Sequence, residues 1–296
     1  MSYDVIIIGG SFAGMSAAMQ LARARRPILV VDSGMPRNRF AAASHGFLGQ
    51  DGVAPAAIMR EALRQLSAYP SVDFVHGHAV SASGELDRFE VEMEDGAVHA
   101  ARRLVLATGV ADTLPDIPGL AERWGVSVMH CPYCHGYELD GGAIGVLGSS
   151  PMSVHQAELL GDWGPVTFVP NGAVPLTEEM RATLSQRGVT LDETPVLRVE
   201  GEADLRLADG RLLSFAGLFV ATTVSPASPL PEQIGCEITQ TAMGSILRTD
   251  GSKQTSIPGI YACGDVAHLP HSVSLAVGDG AMAGAQVHRS LVWPDM

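Results

Sequence analysis

Asp4-Val5-Ile6-Ile7-Ile8 is a short β-branched run that ends in Gly9-Gly10-Ser11-Phe12-Ala13-Gly14, after which apolar residues recur at helical spacing through Leu21. A buried parallel strand, a glycine turn and a helix in that order make a dinucleotide site. Gly9 permits the tight turn, Gly14 lets helix and strand pack closely, and the amides at the helix start face a pyrophosphate. Ser11 stands where the second glycine usually is. The next strand, Ile28-Leu29-Val30-Val31, ends at Asp32, the distance at which an acid meets a ribose hydroxyl. The unit recurs at Ala143-Ile144-Gly145-Val146-Leu147-Gly148, followed by Ser149-Ser150-Pro151-Met152-Ser153 and a helix through Leu160. This copy is degraded. Ser150 and Ser153 occupy the positions of the second and third small residues, and Pro151 interrupts the turn. The following strand, Val166 to Val169, ends in Pro170-Asn171-Gly172, with neither an acid for a ribose nor arginines for a 2′-phosphate. A nucleotide fold retained as scaffold, its ligand lost, describes this copy better than binding does.

The remaining segments arrange themselves around these two units. Met35 to Gly52, containing Pro36-Arg37-Asn38 and His45-Gly46-Phe47, reads as a long loop, and loops of that length are usually functional or disordered. Pro55 to Tyr69 reads as an amphipathic helix and Val72 to Val80 as a strand. Phe89–Met93 and Val98–Arg102 form a hairpin across Glu94-Asp95-Gly96, and Arg103 to Gly109 is another buried strand. Pro115 and Pro118 mark a linker, as do Pro226, Pro229 and Pro231. Thr177 caps a short helix, Val189 to Val224 is mostly short strands, and Ser272 to Leu291 closes the chain as a helix.

Near the middle stands Cys131-Pro132-Tyr133-Cys134-His135-Gly136-Tyr137-Glu138. Two thiols separated by two residues can close a small disulfide, and a proline after Cys131 suits the first turn of a helix, where the partial positive charge favours a thiolate. His135 is placed to move a proton during exchange. Haem attachment, a zinc site using His130 and His135, and inert buried thiols are the competing readings. Haem attachment belongs to exported chains, and a closed zinc site needs a second ligand pair that the sequence lacks, so no metal is expected. Cys236 and Cys263 are isolated.

Composition narrows the partners. The formal charge of −13 argues against nucleic acid or an anionic membrane surface. No apolar run reaches spanning length, and the amino terminus enters a strand at Tyr3-Asp4-Val5 with no basic segment before it, so a cytoplasmic location is expected. There, a Cys-x-x-Cys pair is more often catalytic than structural.

Taken together, Gly9 to Gly14, Ala107-Thr108-Gly109, Cys131 to Cys134, and Thr255-Ser256-Ile257-Pro258-Gly259 running into Gly264-Asp265 resemble the low-molecular-weight thioredoxin reductase family of flavoproteins over nearly the whole chain. The resemblance implies an α/β fold of two Rossmann-like, three-layer domains, the second inserted in the first. FAD would occupy residues 1–112 plus 241–296, and residues 113–240 would form the inserted NAD(P)H-type domain carrying the cysteine pair. It implies that Gly9, Ser11, Gly14 and Asp32 hold the ADP part of FAD and that Asp265 binds the ribityl chain. Ala13, Ser33, His45, Val80, Thr108, Gly109, Gly264, Ser272 and Val273 are placed at the same cofactor. His271 approaches the flavin ring as a second base, with a surface-loop histidine as the alternative.

Two departures from the reductases stand out. His135 replaces the Asp that usually follows the second cysteine, and the complete glycine turn and arginine cluster for NADPH are absent. The cysteine segment instead looks like the branch containing the gliotoxin- and holomycin-type dithiol oxidases, which implies FAD without NADPH and oxygen as acceptor. A small dithiol or disulfide or a thioredoxin-like protein is the expected substrate, a homodimer the expected assembly, and one fixed domain arrangement the expected state. The alternatives are an NADPH-dependent thioredoxin reductase with an atypical nucleotide site and a non-catalytic redox-sensing flavoprotein.

Overall fold

Both faces of β1 (Ser2–Ile8) are covered, because Val5 and Ile7 pack among helix side chains while Ile6 and Ile8 pack on the opposite side. Such double burial is characteristic of parallel sheets. In the computed structural model, which describes residues 2–294, the chain continues through α1 (Phe12–Arg23), β2 (Ile28–Asp32), α2 (Pro55–Leu66) and β3 (Val72–His76). It then forms β4 (Ala79–Glu85), β5 (Arg88–Met93), β6 (Val98–Leu106) and β7 (Val110–Thr113). The strand expected over Val72–Val80 is therefore two strands. Gly77, at φ +151, breaks it, and β4 turns away to pair antiparallel with β5. Conversely, the hairpin strand and the buried strand expected to follow it are one strand, β6, which pairs with β5 at its start and with β1 along its length.

The middle of the chain contains β8 (Val128–Met129), α3 (Pro132–His135), β9 (Ile144–Leu147), α4 (Met152–Leu160), β10 (Val166–Val169), α5 (Glu178–Gln186) and β11 (Thr190–Leu191). Three further short strands follow, β12 (Val196–Glu200), β13 (Asp204–Leu207) and β14 (Leu212–Leu213), and then β15 (Gly217–Val220). Thr177 caps α5 by accepting from the Met180 amide, as its sequence position predicts. The parallel sheet runs β11-β10-β9-β15-β8, with Ile144 and Val146 on one face and Leu147 and Val220 on the other, each in its own apolar cluster.

The chain closes with β16 (Thr223–Pro226), α6 (Leu230–Gln233), β17 (Ile238–Thr241), β18 (Gly244–Leu247), β19 (Ile260–Ala262) and α7 (Val273–Val292). β19 joins β6, completing a sheet of order β3-β2-β1-β6-β5-β4 with β19 beside β6.

Two compact units result, one of residues 2–39, 47–111 and 224–294, the other of residues 40–46 and 112–223. Residues 224–240, read from the sequence as part of the inserted domain, belong to the first unit. The reason is pairing and burial: Val224 lies opposite Gly244, β17 pairs along β18, and Leu230 and Cys236 sit in the same apolar cluster as Phe89. Residues 40–46 go the other way, into the second unit. Met1, Asp295 and Met296, included in the sequence-based FAD-binding range, lie outside the described residues.

Candidate functional site

In the first unit the glycine turn is as tight as its sequence demands. Gly9 has φ +105, and a Cβ there would lie 2.2 Å from the Ala107 carbonyl oxygen. A Cβ on Gly14 would lie 1.8 Å from the Gly9 oxygen, so neither position admits a side chain. Gly10 is equally constrained, since its Cβ would meet Asp32 Cβ at 2.7 Å, and its amide donates to Asp32 Oδ1 at 3.1 Å. That bond fixes the carboxylate at the end of β2 beside the turn, with Ser33 next in the chain. Ser11 is the N-cap of α1 and makes no side-chain cap bond. Ala13 is buried and lies in the packing seam against Gly264 and Gly280.

At the end of β6, Thr108 Oγ1 is buried with no hydrogen-bond partner among the described residues. Gly109, at φ +68, has open space where a Cβ would project. A buried hydroxyl without a partner beside a glycine cradle is the signature of a polar ligand's place, and these residues fit a dinucleotide. Val80 sits at an irregularity in β4 and is 41% exposed.

Asp265 and His271 meet through a residue the sequence reading left unassigned. Arg37 Nη1 donates to Asp265 Oδ2 at 3.2 Å and lies 2.9 Å from His271 Nδ1. A guanidinium only donates, so Nδ1 accepts and the neutral ring carries its proton on Nε2. His271, expected from the sequence as a second base near the flavin, thus carries its ring proton on Nε2. Ser272 caps α7 by accepting from the Leu275 amide at 3.1 Å, and Val273 opens that helix. The Gly264 amide donates to Asp279 Oδ2 at 2.9 Å, and Asp279 is in turn ion-paired with Lys253.

The cysteine pair lies in the second unit. Cys131 is the N-cap of α3, Pro132 its first residue, and the Cys134 amide bonds back to the Cys131 carbonyl at 3.3 Å. Both cysteines are half-buried. The single turn is held from below. Gln156 of α4, itself buried, donates to the His130 carbonyl at 2.7 Å, and Tyr133 meets Trp163 edge-on at 5.4 Å. Gly136 is obligatory because a Cβ there would strike the Trp163 ring at 2.7 Å. Tyr137, like Tyr133, is largely exposed.

His135 is half-buried, and desolvation holds its pKa below the usual imidazole range; Glu138 pulls it up and His45 pushes it down. His45, expected from the sequence at the FAD, belongs to the second unit, its Nδ1 3.5 Å from Glu138 Oε1. Burial raises the pKa of both Cys236 and Cys263, leaving them protonated and inert at neutral pH. Among the described residues no group of three His, Cys, Asp or Glu side chains is disposed to hold a metal, and no helix is long and apolar enough to cross a membrane.

The second glycine turn departs from the first: Gly148 is not in the left-handed region that Gly9 adopts, and α4 starts after Pro151, an N-cap in the helical region, where α1 starts after the extended Ser11. Gly148 approaches Pro170 so closely that a Cβ would lie 2.4 Å from its carbonyl oxygen. Ser149 and Ser150 donate their amides to Ser153 Oγ, at 3.1 and 3.3 Å, and their hydroxyls to the Ala221 carbonyl. Pro170 stands in register where Asp32 stands in the first unit and offers no carboxylate, and Asn171 after it accepts from the Val196 amide at 2.7 Å.

The sequence matches the profile described as pyridine nucleotide-disulphide oxidoreductase over residues 3–280. The chain belongs to the pyridine nucleotide-disulphide oxidoreductase family. An oxidoreductase from Agrobacterium tumefaciens of known crystal structure is 53% identical, with a TM-score of 0.97 and both chains covered in full, 100% and 100%. The crystal structure of HlmI is 40% identical, with a TM-score of 0.90 over 98% of this chain and 93% of that one. Thioredoxin reductase tcpT of Claviceps purpurea is 33% identical over 304 residues, which cover 98% of this chain and 94% of tcpT. The resemblance to thioredoxin reductase-like proteins and their gliotoxin- and holomycin-type branch holds against these relatives, as does the fold of two Rossmann-like units. Membership implies FAD as cofactor.

Within this oxidoreductase family framework, three contributors escape a sequence reading. Arg37 lies in a loop without periodicity, Gln156 on an ordinary helix, and Trp163 in a turn. Only the length of the Met35–Gly52 loop signals that something in it is functional.

Proposed function

We propose that this oxidoreductase oxidises a dithiol substrate to a disulfide at Cys131 and Cys134, with FAD as carrier and oxygen as acceptor, and without NADPH. The observation that carries the choice of direction is the second glycine turn, whose amides are already taken by Ser153 Oγ and which has no acid or arginine at the end of β10. A pyridine dinucleotide does not fit those residues, so electrons entering from a thiol are the reading supported.

In the proposed cycle a substrate thiol gives its proton to His135, whose low pKa keeps the ring neutral and able to accept it at pH 7. The thiolate attacks Cys131 Sγ, the Cys131–Cys134 bond breaks, and Cys134 leaves as a thiolate. The second substrate thiol, its proton passing to solvent, then attacks the substrate sulfur of the mixed disulfide and displaces Cys131 as a thiolate. The substrate loses two electrons and two protons, and the cysteine pair gains the electrons. FAD, when bound, supplies the two-electron carrier through which the pair is reoxidised and oxygen becomes hydrogen peroxide. Within the first unit, Arg37 fixes the His271 tautomer, so His271 holds a proton at Nε2.

The test is anaerobic. The flavoprotein is mixed with NADPH, and separately with dithiothreitol, while the flavin absorbance is followed. Bleaching by the dithiol alone, with recovery and peroxide on admitting air, is the expected result. Rapid bleaching by NADPH would instead establish a thioredoxin-type reductase. A reducible disulfide without catalytic consumption of thiol or oxygen would make the chain a redox sensor.

A further inference from the structure

We infer that Pro151 and Ser153 exclude dinucleotide phosphates from the second glycine turn, so that nucleotide rejection resides in two side chains of a unit that keeps the strand order of a nucleotide-binding half. The inference rests on the NADPH-independent reading above and names the groups responsible for it. β10, β9 and β15 run parallel and in the order of a nucleotide-binding half, and their carboxyl ends open on a cavity of about 340 Å³. The scaffold and the space are therefore present, and what has changed is their chemistry.

A phosphate at such a turn is held by backbone N–H groups aimed outward at the helix start. Ser153 is completely buried, and its hydroxyl oxygen accepts from two of those groups, the Ser149 and Ser150 amides. The side chain thus stands in for a phosphate oxygen. An entering phosphate would have to displace it and leave a buried hydroxyl in want of new partners, which is costly. Pro151, the next residue along the turn, brings no N–H at all. The Ser149 and Ser150 hydroxyls point to the Ala221 carbonyl at 2.8 and 3.2 Å, which ties the turn to the end of β15. The cavity beside the turn is lined by Asp116 and by no lysine or arginine, so its one charge repels an anion.

Restoring the donors should restore binding. Ser153→Ala frees the two amides, Pro151→Gly returns the missing N–H on an exposed residue whose change leaves the core untouched, and a double variant does both. Equilibrium binding of NADPH is read by quenching of its own fluorescence under anaerobic conditions, with inorganic pyrophosphate as competitor and circular dichroism as the check on folding. Expected is no saturable binding to the parent protein and at least about tenfold tighter, pyrophosphate-competed binding to the double variant, with Pro151→Gly alone showing part of the gain. If the parent saturates with NADPH as tightly as the variants, both this inference and the NADPH-independent reading are wrong. If parent and folded variants alike fail to bind, the inference is overturned and the dithiol oxidase reading stands.

Discussion

At the scale of single residues, the proposed chemistry rests on the contrast between half-buried thiols and buried, inert ones. Cys131 and Cys134 are half-buried at a one-turn helix, whereas Cys236 and Cys263 are sealed in the core with raised pKa values. Cys134→Ser should therefore cut dithiol-driven oxygen uptake by at least about 10³-fold, as loss of a covalent participant does, while Cys236→Ser should leave it near the parent value. His135 allows a sharper test. Its folded-state pKa lies below the reference value of about 6.5 because burial disfavours the imidazolium. The rate should fall as pH drops through that lowered pKa, and His135→Gln should lose this acid limb together with about 10²–10⁴-fold in rate. Stability follows the same sign. The unfolded chain takes up the proton at a higher pH than the folded one, so acidification from about pH 6.5 downward destabilises the fold until the folded ring protonates as well. Melting curves of the parent should show that slope, and those of His135→Gln should show less of it.

At the scale of elements, the strand–turn–helix that opens the chain is held against the helix that closes it. A Cβ on Gly280 of α7 would lie 2.1 Å from the Ala13 carbonyl of α1, and one on Gly284 would lie 2.5 Å from that of Ala17. Both obstacles are backbone, so neither yields by rotating a side chain. Gly280→Ala should cost about 1–3 kcal/mol by overpacking, visible as a lowered midpoint in denaturant, and should lower the ratio of bound FAD to protein because α1 starts at the glycine turn. An unchanged midpoint would mean that the helices separate without penalty. The sequence reading of α7 identifies the helix and its Ser272 cap, but not this seam, since small residues acquire meaning only when a second helix lies against them.

At the scale of the whole molecule, two units with separate apolar cores divide the work. The residues that fit FAD lie in the first unit, whose core brackets the larger sheet, and the cysteine pair lies in the second, with clusters of its own. A ligand stabilises only the state that binds it, by about 2.7 kcal/mol at a hundredfold excess over its dissociation constant. Calorimetry with and without added FAD should therefore move one transition and leave a second in place. A single transition that shifts as a whole would contradict independent cores.

Periodicity and turn chemistry are local, and so the amino-acid sequence by itself determined what is local. That includes the β1 strand with its Gly9–Gly14 turn, the degraded copy at Gly148, the Thr177 and Ser272 caps, and the cysteine pair with Pro132 opening its helix. Each of these follows from residues within a few positions of one another. What only the tertiary structure decided are pairings over long separations. Gly77 ends a strand because β4 has β5 to pair with; residues 224–240 rejoin the first unit because they pair with β18; His45 falls in the second unit beside Glu138. Likewise Arg37 reaches Asp265 and His271 across more than two hundred residues of sequence. Ser153 reads in sequence as an imperfect glycine, and becomes a hydroxyl filling two amides only once the turn is folded around it. Hydrogen-bond satisfaction of buried groups depends on the completed fold, and a residue's neighbours along the chain do not reveal it.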